Sequence, residues 1–309
     1  MPYSKLPSFT ALALSRYRPL PTLVHLELNV PKTFNALSPT LFRDWTRALR
    51  WAAETDDVHA VVVSGRGRPG STPEKRVFCA GMAMDASMLE GRGEGEAQAE
   101  DPDTSNLAGA LVEELIRFPK CLAAAINGHA FGLAVTILPL HDLVFALPGR
   151  TFKTPFAELG VCAEGCSSVT FPRILGPALT TKMMMLSEPQ TAETLAARGF
   201  LSVVPDATPD SLPEYALSFL AERFGIPECA ADPDTVVESA DYTNLSLESM
   251  MATKRLLRSD EELARLRAAN AREMEELGRI AASPVFLAGV SRFLAKQQAK
   301  KAAAASARL

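Results

Sequence analysis

Residues 125–134 read AINGHAFGLA. An apolar run from Cys121 to Ile126 leads into Asn127-Gly128, and Gly132 then opens an apolar segment from Leu133 to Leu138. The pattern predicts a buried strand, a glycine turn and a helix over 133–138. A turn that opens a helix leaves its first N–H groups unpaired at the positive end of the helix dipole. Residues 78–84, FCAGMAM, offer a second small-residue turn. Two such turns, if they converge, form an oxyanion hole from main chain alone. Spacing by itself favours two ordinary strand-to-helix turns.

Working outward, Val24, Leu26, Leu28 and Val30 alternate with polar residues and predict a half-buried strand. Ser38-Pro39 is a good N-cap and first helical residue for a helix whose apolar face holds Leu41, Phe42, Trp45, Ala48, Leu49 and Ala52. Val58 to Ser64 is a β-branched run that predicts an inner strand. Strand, helix and strand in the first 64 residues point to an α/β fold. Further on, Leu107–Phe118, Gly165–Leu175 and Ala178–Leu186 read as helices, and Leu143–Ala146 as a short strand. Residues 65–76 form a Gly/Pro/Arg-rich loop, and 90–103 form an acidic stretch without large apolar side chains. After about residue 205 prolines punctuate the chain, and from Leu245 to Lys300 it is almost all helix. The division expected is a core domain over 1–205 and a helical C-terminal region over 206–309. No internal repeat recurs at a fixed period.

With 309 residues, 47% of them hydrophobic and 22% charged, the chain is long enough to bury a sizeable core without disulfides or metals. A net charge of −4 gives no overall basic field for nucleic acid. No apolar run is long enough to span a membrane, and the first residues lack a signal-peptide layout. Five cysteines, Cys79, Cys121, Cys162, Cys166 and Cys229, suggest free thiols in a reducing compartment. Cys162 and Cys166 lack the second pair or histidine cluster that zinc needs, so no metal site is expected. GRGRPG at 65–70 spells a dinucleotide fingerprint, but Pro69 and Ser71-Thr72-Pro73 oppose the helix that such a site requires. His25, His59 and His129 read as structural; His141 is the fourth histidine.

Three motifs then carry a resemblance. Pro31-Lys32-Thr33-Phe34-Asn35-Ala36-Leu37, Phe78 to Met84, and Ala125 to Asp142 stand in the order and at the intervals seen in the enoyl-CoA hydratase/isomerase (crotonase) superfamily. The chain resembles that family from about residue 20 to 300. Within it, residues 152–168 are most similar to peroxisomal Δ3,Δ2-enoyl-CoA isomerases. The resemblance implies a crotonase-like ββα spiral core and a helical C-terminal region that builds trimers or pairs of trimers. Hydratases of the family carry glutamates where Thr136 and Phe156 stand here; the isomerase branch carries one glutamate before a glycine, which Glu164 matches. Ala83 and Met84 replace the common Asp and Leu, and Leu133-Ala134 replaces Gly-Gly.

The implied substrate is a 3-enoyl-CoA thioester, and the implied product is its trans-2 isomer, a step of fatty acid β-oxidation. Its carbonyl would accept hydrogen bonds from the backbone N–H groups of Met82 and Leu133, and Glu164 would move a proton from C2 to C4. Coenzyme A, part of the substrate and no separate cofactor, would lie along Ala80, Gly81, Met82, Ala83 and Met84, with Ala36 near the adenine. Glu158 is the runner-up acid. Ala307-Arg308-Leu309 resembles a peroxisomal address read by an import receptor. Hydration, hydrolysis and secondary metabolism on the same fold remain as alternatives, as does a non-catalytic scaffold.

Overall fold

The computed structural model describes residues 3–84, 106–224, 245–281 and 283–306. The acidic stretch 90–103, Cys229 and Ala307-Arg308-Leu309 lie outside them. The strands are β1 (Leu12–Arg16), β2 (Leu23–Leu28), β3 (Ala60–Gly65), β4 (Val77–Cys79), β5 (Cys121–Ile126), β6 (His129–Phe131), β7 (Leu143–Ala146), β8 (Thr151–Lys153), β9 (Gln190–Thr191) and β10 (Ser202–Val203). The helices are α1 (Pro39–Glu54), α2 (Leu107–Arg117), α3 (Leu133–Thr136), α4 (Phe156–Leu159), α5 (Ser167–Leu175), α6 (Pro177–Met184), α7 (Ala192–Ala196), α8 (Leu212–Phe224), α9 (Leu247–Leu257), α10 (Asp260–Ala281) and α11 (Pro284–Ser306).

Two sheets result. One has the order β1-β2-β3-β5-β7-β10, and the other β4-β6-β8-β9. All pairings are parallel except β1 with β2 and β8 with β9. The chain spirals: β3, β5 and β7 each lie in the larger sheet, and the strand after each crosses to the smaller one. A helix precedes each pair, so the repeating unit is helix, strand, strand, as the ββα expectation requires.

Period-2 alternation divides the core between the two faces of the larger sheet. Val24, Leu26, Val61, Val63, Leu122 and Ala124 pack with α1 and α2. Leu23, Ala60, Val62, Ala123 and Ala125 face the other way and pack with Leu212, Ala216 and Leu220 of α8. Helix α1 starts where Ser38-Pro39 predicts: the Ser38 hydroxyl accepts from the Leu41 N–H at 3.3 Å. Its predicted apolar face, including Trp45 and Leu49, is buried. Helix α3 stops at Thr136, short of the predicted Leu138, because Pro139 disfavours the α conformation of the residue before it. The chain continues as a tight turn over Leu138–Leu140.

The corner between sheets is tied by Asn127. Its side chain accepts from the Gly65 N–H at 3.2 Å and donates to the carbonyls of Gly65 and Pro209 at 2.9 and 3.1 Å. Gly128 must lack a side chain, since a Cβ there would stand 2.6 Å from the Phe78 nitrogen. Asn127→Ala leaves three buried main-chain groups without partners and is expected to lower unfolding free energy by about 2–4 kcal/mol in urea titration.

Candidate active site

Two glycine turns meet beneath one carboxylate. The first runs through Gly81, whose φ of +78° suits glycine, after β4. Main-chain hydrogen bonds from Leu37 N–H to the Gly81 carbonyl (2.8 Å) and from Ala83 N–H to the Leu37 carbonyl (3.2 Å) bring 34–37 beside 80–83. In that parallel bridge the Met82 N–H points away from Leu37 and donates to no described residue. The second turn runs through Gly132 (φ +56°), which opens α3 and leaves the Leu133 N–H without an acceptor among the described residues. A Cβ on Gly81 would stand 2.8 Å from the Phe131 carbonyl oxygen. A Cβ on Gly132 would stand 3.7 Å from Gly81 Cα and 4.0 Å from Glu164 Oε1. The structure thus brings together Ala36, Ala80, Gly81, Met82, Ala83, Leu133 and Glu164. Met84 follows at half burial.

Glu164 is 8% exposed. Its carboxylate receives no hydrogen bond from a described residue; only its backbone carbonyl is used, accepting from the Ser167 N–H and hydroxyl. Burial, reinforced by the negative charge of Glu273, pushes it up to about 8. The Glu164 carboxylate does not cap α5. That role belongs to Glu273, whose two oxygens accept from the N–H groups of Cys166 (2.7 Å) and Ser168 (2.8 Å). The helix begins at Ser167, two residues later than predicted, because Gly165 and Cys166 are both left-handed (φ +67° and +63°). A Cβ on Gly165 would meet the Thr136 hydroxyl oxygen at 2.7 Å, so the Glu164 turn rests directly on α3.

Other titratable candidates have different employment. Glu158 pairs with Lys153 at 2.6 Å and is about half exposed. His129 bridges the Glu74 carbonyl (2.8 Å) and the Thr151 N–H (3.0 Å), and His25 bonds the Ser64 hydroxyl at 2.7 Å. The Cys79 thiol is held at about 12 by burial and points at the Asn35 carbonyl. Cys162 and Cys166 are free thiols.

Residues 21–260 match the family model described as enoyl-CoA hydratase/isomerase. The chain belongs to the enoyl-CoA hydratase/isomerase family. Human chromodomain Y-like protein 2 is 38% identical over 170 residues, 55% of this chain and 31% of that protein. Human enoyl-CoA delta isomerase 2 is 35% identical over 187 residues, 60% of this chain and 45% of that protein. Mouse peroxisomal enoyl-CoA delta isomerase 3 is 30% identical over 240 residues, 78% and 65% of the two chains. The chain spans less than two thirds of the length of these curated relatives. A crystal structure of an enoyl-CoA hydratase/isomerase from Pseudoalteromonas atlantica superposes with a TM-score of 0.72 over 93% of this chain and 98% of that one. At 22% identity it shows that this family member has the crotonase fold. Among the described residues, no single helix is long and apolar enough to cross a membrane.

Glu273 is the residue that sequence reading missed. It sits in a run of charged helix residues, AREMEELGR, where nothing marks it from its neighbours. Only its 5% exposure singles it out, and that appears with the fold.

Proposed function

We propose that the chain is a Δ3,Δ2-enoyl-CoA isomerase. The observation that carries the reading is the buried carboxylate of Glu164, standing over the meeting point of two glycine turns. The Thr136 hydroxyl beside it donates to the Leu133 carbonyl. Neither Thr136 nor Phe156 supplies the second carboxylate that adding water by a two-glutamate route requires. The isomerases among the relatives support the reading.

In this mechanism the thioester carbonyl accepts hydrogen bonds from the N–H groups of Met82 and Leu133. Glu164 takes a proton from C2, and charge gathers on the carbonyl oxygen as a dienolate forms. Fixed donors hold that charge more tightly than the neutral carbonyl, which lowers the barrier. The same carboxyl then returns the proton at C4. Nothing is added or oxidised, so the balance requires no separate cofactor. Because the donors belong to the main chain, the side chains at 82 and 133 are free to vary. The reading places the protein in the peroxisome, as the name of the mouse relative suggests, and extends to a trimer, as the family resemblance implies.

The test is a panel of acyl-CoAs followed by mass spectrometry and ultraviolet absorption. A 3-enoyl-CoA is expected to gain conjugation without change of mass. A gain of one water, or release of free coenzyme A, overturns the reading in favour of a hydratase or a hydrolase. The base must be ionised to act, and Glu164 holds its proton up to about pH 8. Accordingly, kcat/KM is expected to rise about tenfold per pH unit on the acid side and to level off above that value. A profile already flat at pH 6 would mean that the acting base is not held protonated by burial as described for Glu164.

A further inference from the structure

We infer that Glu273 of α10 is a positioning residue for Glu164: accepting two main-chain N–H bonds from the turn after Glu164, it holds that carboxylate over the two glycine turns. The inference rests on the reading of Glu164 as the base.

The turn from Glu164 to Ser168 is not self-supporting. Two consecutive residues are left-handed, and the second, Cys166, carries a side chain that disfavours this conformation. Helix α5 has no side-chain cap of its own at Cys166. The Glu273 carboxylate supplies it from 107 residues away, with one oxygen on Cys166 N and the other on Ser168 N. Charged acceptors at a helix start are favoured by the unpaired N–H groups and the dipole. The far end of the same segment is held by α11. A Cβ on Gly289 would stand 2.2 Å from the Leu159 carbonyl oxygen, and one on Gly160 (φ +69°) 2.6 Å from that of Val285. The C-terminal helices therefore grip residues 159–168 at both ends, with Glu164 between.

Glu273 also acts through space. It and Glu164 are both carboxyl groups in low-dielectric surroundings, and its charge adds to the burial that keeps Glu164 protonated. Burial raises Glu273 as well, opposed by the hydrogen bonds from Ser168 and Cys166 and by the charge of Arg272. Around the same turn, the charges of Glu276, Glu164 and Glu273 act on Cys162, and those of Glu273, Glu113 and Arg258 act on Cys166.

Steady-state kinetics of Glu273→Gln, Glu273→Asp and Glu164→Gln on 3-enoyl-CoA test the inference. In Glu273→Gln, kcat is expected to fall about tenfold to a hundredfold with KM nearly unchanged, because a misplaced base loses turnover before binding. Its acid limb is expected to move to lower pH, since a negative neighbour is gone. Glu273→Asp keeps the charge but not the reach, so kcat falls while the limb stays. Wild-type kcat in either variant overturns the inference, as does lost turnover in Glu273→Gln with the limb unmoved. If Glu273→Gln does not fold, Glu273→Asp decides on kcat and limb together. Glu164→Gln separates the two readings: its full turnover would sink the assignment of the base, whereas its loss beside a wild-type Glu273→Gln would sink only the positioning role.

Discussion

Glu164→Gln is expected to lower kcat by about a hundredfold to ten-thousandfold, the range for removing a positioned general base. Glutamine fills nearly the same volume and leaves both glycine turns untouched, so acyl-CoA should still bind. The same change is expected to stabilise the fold. The folded carboxyl ionises at about 8, against 4.5 for the ordinary glutamate. As pH rises through that window, the unfolded chain releases its proton while the folded chain keeps it, so the wild type loses stability. Glutamine has no proton to release. The variant should match the wild type near pH 4.5 and exceed it above pH 8 by an amount on the order of a few kcal/mol. Thermal melts at the two ends check this. Lost turnover with a raised melting temperature separates lost chemistry from lost structure, and lost turnover with a lowered one would contradict the account of a desolvated carboxylate.

Gly81→Ala carries the second large effect. The new methyl would stand 2.8 Å from the Phe131 carbonyl oxygen, and φ is +78°, where side chains are strained. Backbone cannot yield as a flexible side chain would, so the turn must shift and the Met82 N–H with it. Losing one donor of the proposed oxyanion hole is expected to lower kcat about a hundredfold to a thousandfold. The strain itself is expected to cost about 1–3 kcal/mol of stability. The acid limb of the pH profile should stay in place, because Glu164 keeps its surroundings. An alanine variant with undiminished turnover would exclude the Met82 N–H from the reaction.

Much of this was legible in the residues because some elements are long and strongly patterned. Cys121–Ile126 and Leu143–Ala146 form as strands with the predicted bounds, and Leu41 to Ala52 bury the predicted face of α1. The smaller sheet was not legible. Three of its strands, β4, β6 and β8, have three residues each, too few for alternation to register. They exist because the spiral sets them side by side, a tertiary cause that local patterning does not carry. The same holds for the site. Gly81 and Gly132 are visible as turns, but their contact depends on how two distant segments stack. Glu164 stood out through family resemblance, since a glutamate before a glycine otherwise reads as an ordinary helix start. Glu273 had no signal, as its importance lies in a burial that its charged neighbours do not share.

The reach from α10 back to Cys166 also sets an order of events. A ribosome releases both sheets well before α10 emerges. Until then the turn after Glu164 lacks the carboxylate that accepts from the N–H groups of Cys166 and Ser168. In the proposed mechanism, competence for turnover therefore waits until α10 has been made.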